Sequence, residues 1–584
     1  MNEKVRRSST ERVISLAVLA AVLAVFARAL EAGFVYWDDD IVYENPHIRG
    51  LDWHRIRWMF TDMEYVWRYM PLTWLGWAVT YELLGLNPLG YHLGNLLFHG
   101  ANAVMVFYLL RKLFLLGTPD GGTLERRNDL LWCCGLGAML WAIHPLRVEP
   151  VVWVTDRVYC QALFFLLISL LCYLKFCDPA NSRKRKYYWC SVGAFAASLL
   201  SYQTGLGYVL VLPLLDAYPL RRFNRGGGWW RDATARRIWL EKVPFAAAAA
   251  VVLALTLLAR FRVEGTAGFP QPVSLSEFGL TERAAQAFYI WAYYFWRPWF
   301  PLNLSPFYTT LISVQPTAPR FVLSAILVIG MTALLAFKRR QWPLFWWLWL
   351  CHLILLVPML GLTEHPHFPS DRYSFIVGIT WSVLAAAGLW TLRTGPLRQV
   401  SRAVAIAVLF VLGAMSYRQS GIWQNSVILH EYMIKQLGDD PRRVWLYRRL
   451  ARMYTEQGDD SNAAESFRKV LRIDPNSVEA HESLGDFLFR QGLAEQASSH
   501  YAEALRIAPD NFRVHQNLGS ALASQGRLTE AIDHFSKALE LNPRSAIGHR
   551  NLARALEKLG RADEARPHAL EAQRLEPQQP VQPE

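Results

Sequence analysis

Eleven apolar runs divide the first 420 residues, and basic side chains gather in every second gap between them. That alternation constrains the fold more than any other feature. The runs are about Val13–Val35, Tyr91–Leu110, Leu131–Ile143, Tyr159–Lys175, Tyr188–Tyr202, Gly205–Tyr218, Val243–Leu258, Phe321–Phe337, Trp346–Leu362, Tyr373–Leu392 and Ala403–Tyr417. Stretches near 20 residues are long enough to cross a bilayer as helices. Inside lipid the backbone must satisfy its own hydrogen bonds, which leaves helices or closed barrels. Residues 1–420 therefore predict an all-α, polytopic bundle of about 11 spans.

Basic residues remain on the cytoplasmic side of such bundles. Lys4, Arg6, Arg7 and Arg12 precede the first run and place the N-terminus there. The run carries no small-residue cleavage site, so it reads as an anchor. Arg111–Lys112, Arg126–Arg127, Arg183–Lys186, Arg221–Arg237, Lys338–Arg340 and Arg393–Arg402 then mark inner loops. Two long outer stretches remain, 36–88 and 261–319. In the first, Asp52 caps a short helix whose Trp53, Ile56 and Phe60 share a face suited to a membrane surface. In the second, residues 284–299 are apolar and aromatic. A full crossing there would put Lys338–Arg340 outside, so the segment reads as re-entrant or interfacial.

The formal net charge of +13 resembles a nucleic-acid signal until it is located. From residue 430 on there are 21 basic and 23 acidic side chains, which leaves 40 and 25 for the remainder. The excess lies in the loops between spans, and nucleic-acid binding is set aside. The 24 Trp fit interfacial belts.

Tyr36-Trp37-Asp38-Asp39-Asp40 follows the first run directly. Carboxylates are costly in lipid, so this triplet lies on the outer side. Arg157 and Arg372 begin spans on that side, where each either holds an anion or snorkels to headgroups. His144, Arg147 and Glu149 fill an outer turn. His92 and His99 share a helix face seven residues apart and read as polar contacts within the bundle.

Pro441, Pro475, Pro509, Pro543 and Pro577 recur every 34 residues. That period, with helix–turn–helix patterning, resembles the tetratricopeptide repeat. Gly458, Gly492, Gly526 and Gly560 fall at the turn, where φ > 0 is needed. Ala464, Ala497, Ala531 and Ala565 begin the second-helix contact, with Phe467, Tyr501 and Phe535 a turn or so further on. Four repeats over 441–577 stack into a short superhelix that binds an extended peptide or acts as a rigid spacer. Residues 421–440 read as a linker helix and 578–584 as a disordered tail.

Several stretches carry a resemblance over nearly the whole chain. They are Tyr36–Pro46 (YWDDDIVYENP), Pro71–Trp74 (PLTW), Gly85–Ala103 (GLNPLGYHLGNLLFHGANA), His144–Arg157 (HPLRVEPVVWVTDR), Asp371-Arg372-Tyr373 and the repeats. Together they resemble the GT-C glycosyltransferases, and among them the transmembrane and tetratricopeptide-repeat O-mannosyltransferase-like family with its bacterial relatives. The resemblance implies inverting transfer of a sugar, a hexose such as mannose, from a polyprenyl-phosphate donor to a protein acceptor on the outer side. Asp38 and Asp39 are then the base candidates, Arg372 and Arg157 the donor-phosphate ligands, and Asp40, His144 and Glu149 orienting groups. No metal is obligatory, although a divalent cation can sit between the carboxylates of Asp38 and Asp40. Where the family carries a lysine after the fifth span, Ser201–Leu206 (SYQTGL) has none. The localisation implied is a bacterial inner membrane with the repeats periplasmic. The competing reading is a non-catalytic membrane anchor whose repeats recruit envelope proteins.

Overall fold

The computed structural model describes residues 3–65, 68–117, 124–223, 232–262, 273–362, 365–395 and 397–575. Among them every regular element is a helix. The tail expected to be disordered, 578–584, lies outside the described residues. The chain forms two compact units, residues 1–429 and 430–584. Their boundary falls within helix Ser426–Leu437.

In the first unit, seven of the described helices are long and apolar enough to cross a membrane: Ser9–Glu31, Pro88–Leu116, Arg157–Phe176, Ala233–Ala259, Pro319–Phe337, Asp371–Thr391 and Leu397–Trp423. An eighth span results if Arg126–Ala142 and Pro145–Val152, bent by 60°, are counted as one. The hydropathy runs number eleven. The difference lies in Lys184–Ser201, Tyr208–Ala217 and Pro343–Leu356. All three are helices, but the second has only 10 residues, too few to cross alone. The segment read as re-entrant is helix Leu280–Trp296, closed by the turn Arg297–Trp299. Its Ile290 and Tyr294 pack against Phe321, Leu356 and Val377. Asp52 caps helix Trp53–Thr61 by accepting from the Arg55 amide at 3.1 Å. Trp53 and Phe60 stay exposed while Met59 is buried.

Bent helices leave backbone carbonyls without helical partners, and lipid offers no water to replace them. Helix Pro88–Gly117 supplies the donors. His92, Asn95, His99 and Asn102 recur along one face and are all buried. Asn95 Nδ2 donates to Trp153 O at 2.8 Å, His99 Nε2 to Ala142 O at 2.8 Å and Asn102 Nδ2 to Cys160 O at 2.8 Å. His92 Nε2 faces Gly33 O at 3.4 Å. The two histidines thus make the polar bundle contacts expected of them. This stripe holds the ends of the broken helices in place, and those ends carry the site described below.

The second unit contains four helix pairs, from Arg443–Glu456 with Asp460–Ile473 to Ala546–Lys558 with Ala562–Leu575. Gly458, Gly492, Gly526 and Gly560 take φ of 75° to 81° at the turns, conformations that a side chain resists. Ala464, Ala497, Ala531 and Ala565 are buried, as are Phe467, Tyr501 and Phe535.

Three of the repeats share a histidine pair that bridges their two helices. Nδ1 lies 3.1 Å from Nδ1 in His481–His500, 3.0 Å in His515–His534 and 2.9 Å in His549–His568. Each first-helix ring donates Nε2–H to the carbonyl of Pro475, Pro509 or Pro543. Its Nδ1 therefore accepts from the second ring. Burial lowers the pKa of His500, His534 and His568 below the usual histidine value, and the partner ring adds to the effect. The unfolded chain then binds more protons than the fold. The contribution is complete above about pH 6.5 and is lost as pH falls through the lowered folded values. Thermal melting of residues 430–584 should show Tm falling below that pH. Gln at His500, His534 and His568 should flatten the dependence, and an unchanged slope would show that other groups cause it.

Candidate active site

After Glu31 the chain leaves its first helix and runs extended to Val35 before turning through the acidic triplet. Asp39 is fully buried. Its Oδ1 accepts from the Thr155 amide at 3.1 Å and the Thr155 hydroxyl at 2.6 Å, and its Oδ2 accepts from the Val35 amide at 2.8 Å. Both oxygens are occupied in joining the first outer loop to the turn at 153–156. Burial pushes the Asp39 carboxyl up to about 7, the neighbouring Asp38 charge adds to this, and the three hydrogen bonds oppose it.

Asp38 is half-buried. Its carbonyl takes the Thr155 hydroxyl at 3.1 Å, and its carboxylate lies within electrostatic reach of Arg68 and Asp156. The two base candidates therefore divide. Asp39 braces the loop from a buried position, and Asp38 keeps part of its surface exposed.

Arg157 and Arg372 divide in the same way. Arg157 is 1% exposed. It donates to Asn95 Oδ1 at 3.0 Å, Gly76 O at 3.1 Å, Thr80 Oγ1 at 2.8 Å and Tyr91 O at 2.7 Å. A Cβ on Gly94 would sit 2.3 Å from its guanidinium, so glycine there is what admits the arginine. These four bonds turn the Arg157 guanidinium into the bundle. Arg372 instead pairs with Glu149 through Nη1 and through its own amide, at 3.1 Å for the latter. Its Nε is 3.8 Å from Asp156 Oδ1, and its guanidinium lies 5.1 Å from the Trp153 ring centroid.

The orienting residues are likewise sorted. His144 caps the turn Pro145–Arg147, accepting the Leu146 amide at Nδ1 and donating Nε2–H to Pro298 O at 2.9 Å. With both nitrogens engaged it shapes the loop and is not placed to orient a substrate. Glu149 is buried and holds Arg372. Asp40 opens the single-turn helix Asp40–Tyr43 and is partly exposed.

Two residues join the site that the sequence reading did not single out. Asp156 is buried, and its Oδ2 has no hydrogen-bond partner. Burial holds its carboxyl well above the usual range, Glu149 and Asp38 add to this, and Arg372 and Arg68 oppose it. Its place just before Arg157, at the outer start of a span, was the available signal. Arg68 lies in an aromatic loop and carried none. Its guanidinium is 6.0 Å from the Tyr202 ring centroid, and that ring lies tilted against Tyr159 with centroids 5.1 Å apart. A cation thus stands beside Ser201–Leu206, where no lysine occurs. Beneath Arg372, the neighbouring Asp371 accepts from Tyr308 OH at 2.8 Å, which in turn accepts from Arg297 at 3.2 Å. Carboxylates and guanidiniums therefore gather at one end of these helices, a pairing able to move a proton and to hold an anion.

Tetratricopeptide-repeat models match residues 451–492, 477–544 and 516–580. The human protein O-mannosyl-transferase TMTC4 is 27% identical over 226 residues, covering 36% of this chain and 30% of that one. The human protein O-mannosyl-transferase TMTC2 is 28% identical over 223 residues, covering 36% and 25%. The chain is similar to the transmembrane and tetratricopeptide-repeat O-mannosyltransferase-like family. It spans under a third of the length of these two family members. A crystal structure of MamA protein covers 25% of this chain and 80% of its own at 24% identity, with a TM-score of 0.24. The family's two marks, apolar helices and C-terminal repeats, are both present here.

Proposed function

We propose that this protein transfers mannose, or a related hexose, from a polyprenyl-phosphate carrier to a hydroxyl of a protein acceptor. The observation that carries the reading is the meeting of Asp38 and Asp156 with Arg68 and Arg372 at the ends of the spanning segments. Asp38 takes the acceptor's proton, and the acceptor oxygen forms a bond to the sugar's anomeric carbon. The carbon–oxygen bond to phosphate breaks on the opposite face, which inverts the configuration. Arg68 and Arg372 receive the charge of the departing polyprenyl phosphate, as guanidinium is shaped to do. The repeats hold the acceptor or a partner protein. No metal is required by this scheme, and insensitivity to a chelator is its expected counterpart. The basic loops support a cytoplasmic N-terminus, with the site and the repeats on the periplasmic side of a bacterial inner membrane.

The test uses purified protein with labelled polyprenyl-phosphate sugars and follows label into a peptide fraction. Arg68→Gln should raise KM for the donor about tenfold or more, the worth of one charge-assisted hydrogen bond, with a smaller change in kcat. If no polyprenyl-phosphate sugar bound the wild-type protein, and Asp38→Asn left its cellular role intact, the repeat scaffold would be the correct reading.

A further inference from the structure

At the far end of the same helices lies a second feature that the transfer reaction does not use. Helices Leu124–Ala142, Ser374–Thr391 and Leu397–Ser420 enclose a cavity of about 420 Å³. Its lining is apolar apart from Ser401 and includes Leu136, Leu140, Leu389, Val404 and Val408. Helix Ser374–Thr391 begins beside Arg372 and reaches the cavity near its other end. At about 1.5 Å per residue, the cavity mouth stands roughly 25 Å from the outer site. Leu397, Val400, Val404 and Val408 are 40–56% exposed, so the crevice opens toward lipid rather than into the bundle.

The mouth is basic. Arg398 and Arg402 share the single carboxylate Asp129 and keep about a third of their side-chain surface exposed. Arg393 lies 3.8 Å over the Trp390 ring centroid, with Arg126 5.9 Å from the same ring. Arg126, Arg393, Arg398 and Arg402 thus gather at this end of the three helices. An apolar crevice in the membrane with a cationic rim at the headgroup level matches one ligand chemistry: hydrocarbon chains joined to an anionic head.

We infer that this crevice is a binding site for an anionic phospholipid, with an acyl chain between the three helices and the headgroup phosphate on Arg393, Arg398 and Arg402. It is separate from the donor site, since it lies at the opposite ends of the spans. It stands whether or not the transfer reading does.

The full chain, purified in detergent, is examined by native mass spectrometry with phosphatidylglycerol or phosphatidylcholine added. Wild type should retain the anionic lipid about tenfold more than the zwitterionic one. Arg393→Gln with Arg398→Gln leaves Asp129 its partner Arg402 and should remove that preference. Gly388→Leu fills the crevice, since a Cβ there meets nothing within 4 Å. It should lower retention of both lipids while the protein stays monodisperse. Equal retention of the two lipids by wild type, or full retention by Gly388→Leu, would overturn the assignment.

Discussion

Asp38→Asn is expected to reduce sugar transfer about 10²- to 10⁴-fold, the usual contribution of a positioned base. The change keeps the shape of the side chain. The hydrogen bond from Thr155 goes to the main-chain carbonyl of Asp38 and survives. Melting temperature and donor KM should therefore stay near the wild-type values, with the loss confined to kcat. Asp156→Asn is the informative comparison. Asp156 lies in the same electrostatic field, and burial holds its carboxyl high, so it suits a protonated neighbour better than a base. If Asp156→Asn lost transfer and Asp38→Asn kept it within a few-fold, the two roles would have to be exchanged.

Asp39→Ala should act on stability instead. It strands two buried donors, the amides of Val35 and Thr155, while the Thr155 hydroxyl keeps the Asp38 carbonyl. Each unsatisfied group costs about 1–3 kcal/mol, so the sum is about 2–6 kcal/mol. Thermal unfolding in detergent should show a drop far larger than that of Asp38→Asn. The pH dependence separates the brace from a base. Burial raises the Asp39 carboxyl from 3.8 to about 7, so the fold holds a proton that the unfolded chain has released. Its contribution is complete below pH 3.8 and is lost as pH rises through about 7. At full ionisation the loss is about 4 kcal/mol. Wild type should weaken as pH rises from about 4 to about 7. Asp39→Asn, which cannot ionise, should not, although its amide opposite the Val35 N–H lowers stability throughout. A wild-type protein equally stable at both pH values would show that Asp39 is ionised at no cost.

Much of the architecture was legible because its causes are local. A run of apolar residues must become a helix in lipid whatever surrounds it. A 34-residue period with glycine at each turn can be read without knowing what packs on it, and Gly458 through Gly560 take the positive φ that the turn demands. His92 and His99 were readable as bundle contacts because their spacing puts them on one helix face. The acidic triplet could be placed outside the bilayer from the cost of burying charge alone.

Which carboxylate is presented and which is spent was not legible. Asp38 and Asp39 are adjacent and chemically identical, and Thr155, more than a hundred residues away, decides between them. Arg157 and Arg372 begin outer span ends in the same manner, yet Asn95, Gly76, Thr80 and Tyr91 close on the first while Glu149 holds the second. Arg68 enters the site only because helix packing brings its loop beside Tyr202. The sequence by itself determined the helices and the repeats, since hydropathy and turn chemistry act over a few residues. Only the tertiary structure decided which polar groups pair, because a buried polar group takes whatever partner the packing of distant segments supplies, and that pairing leaves no local pattern.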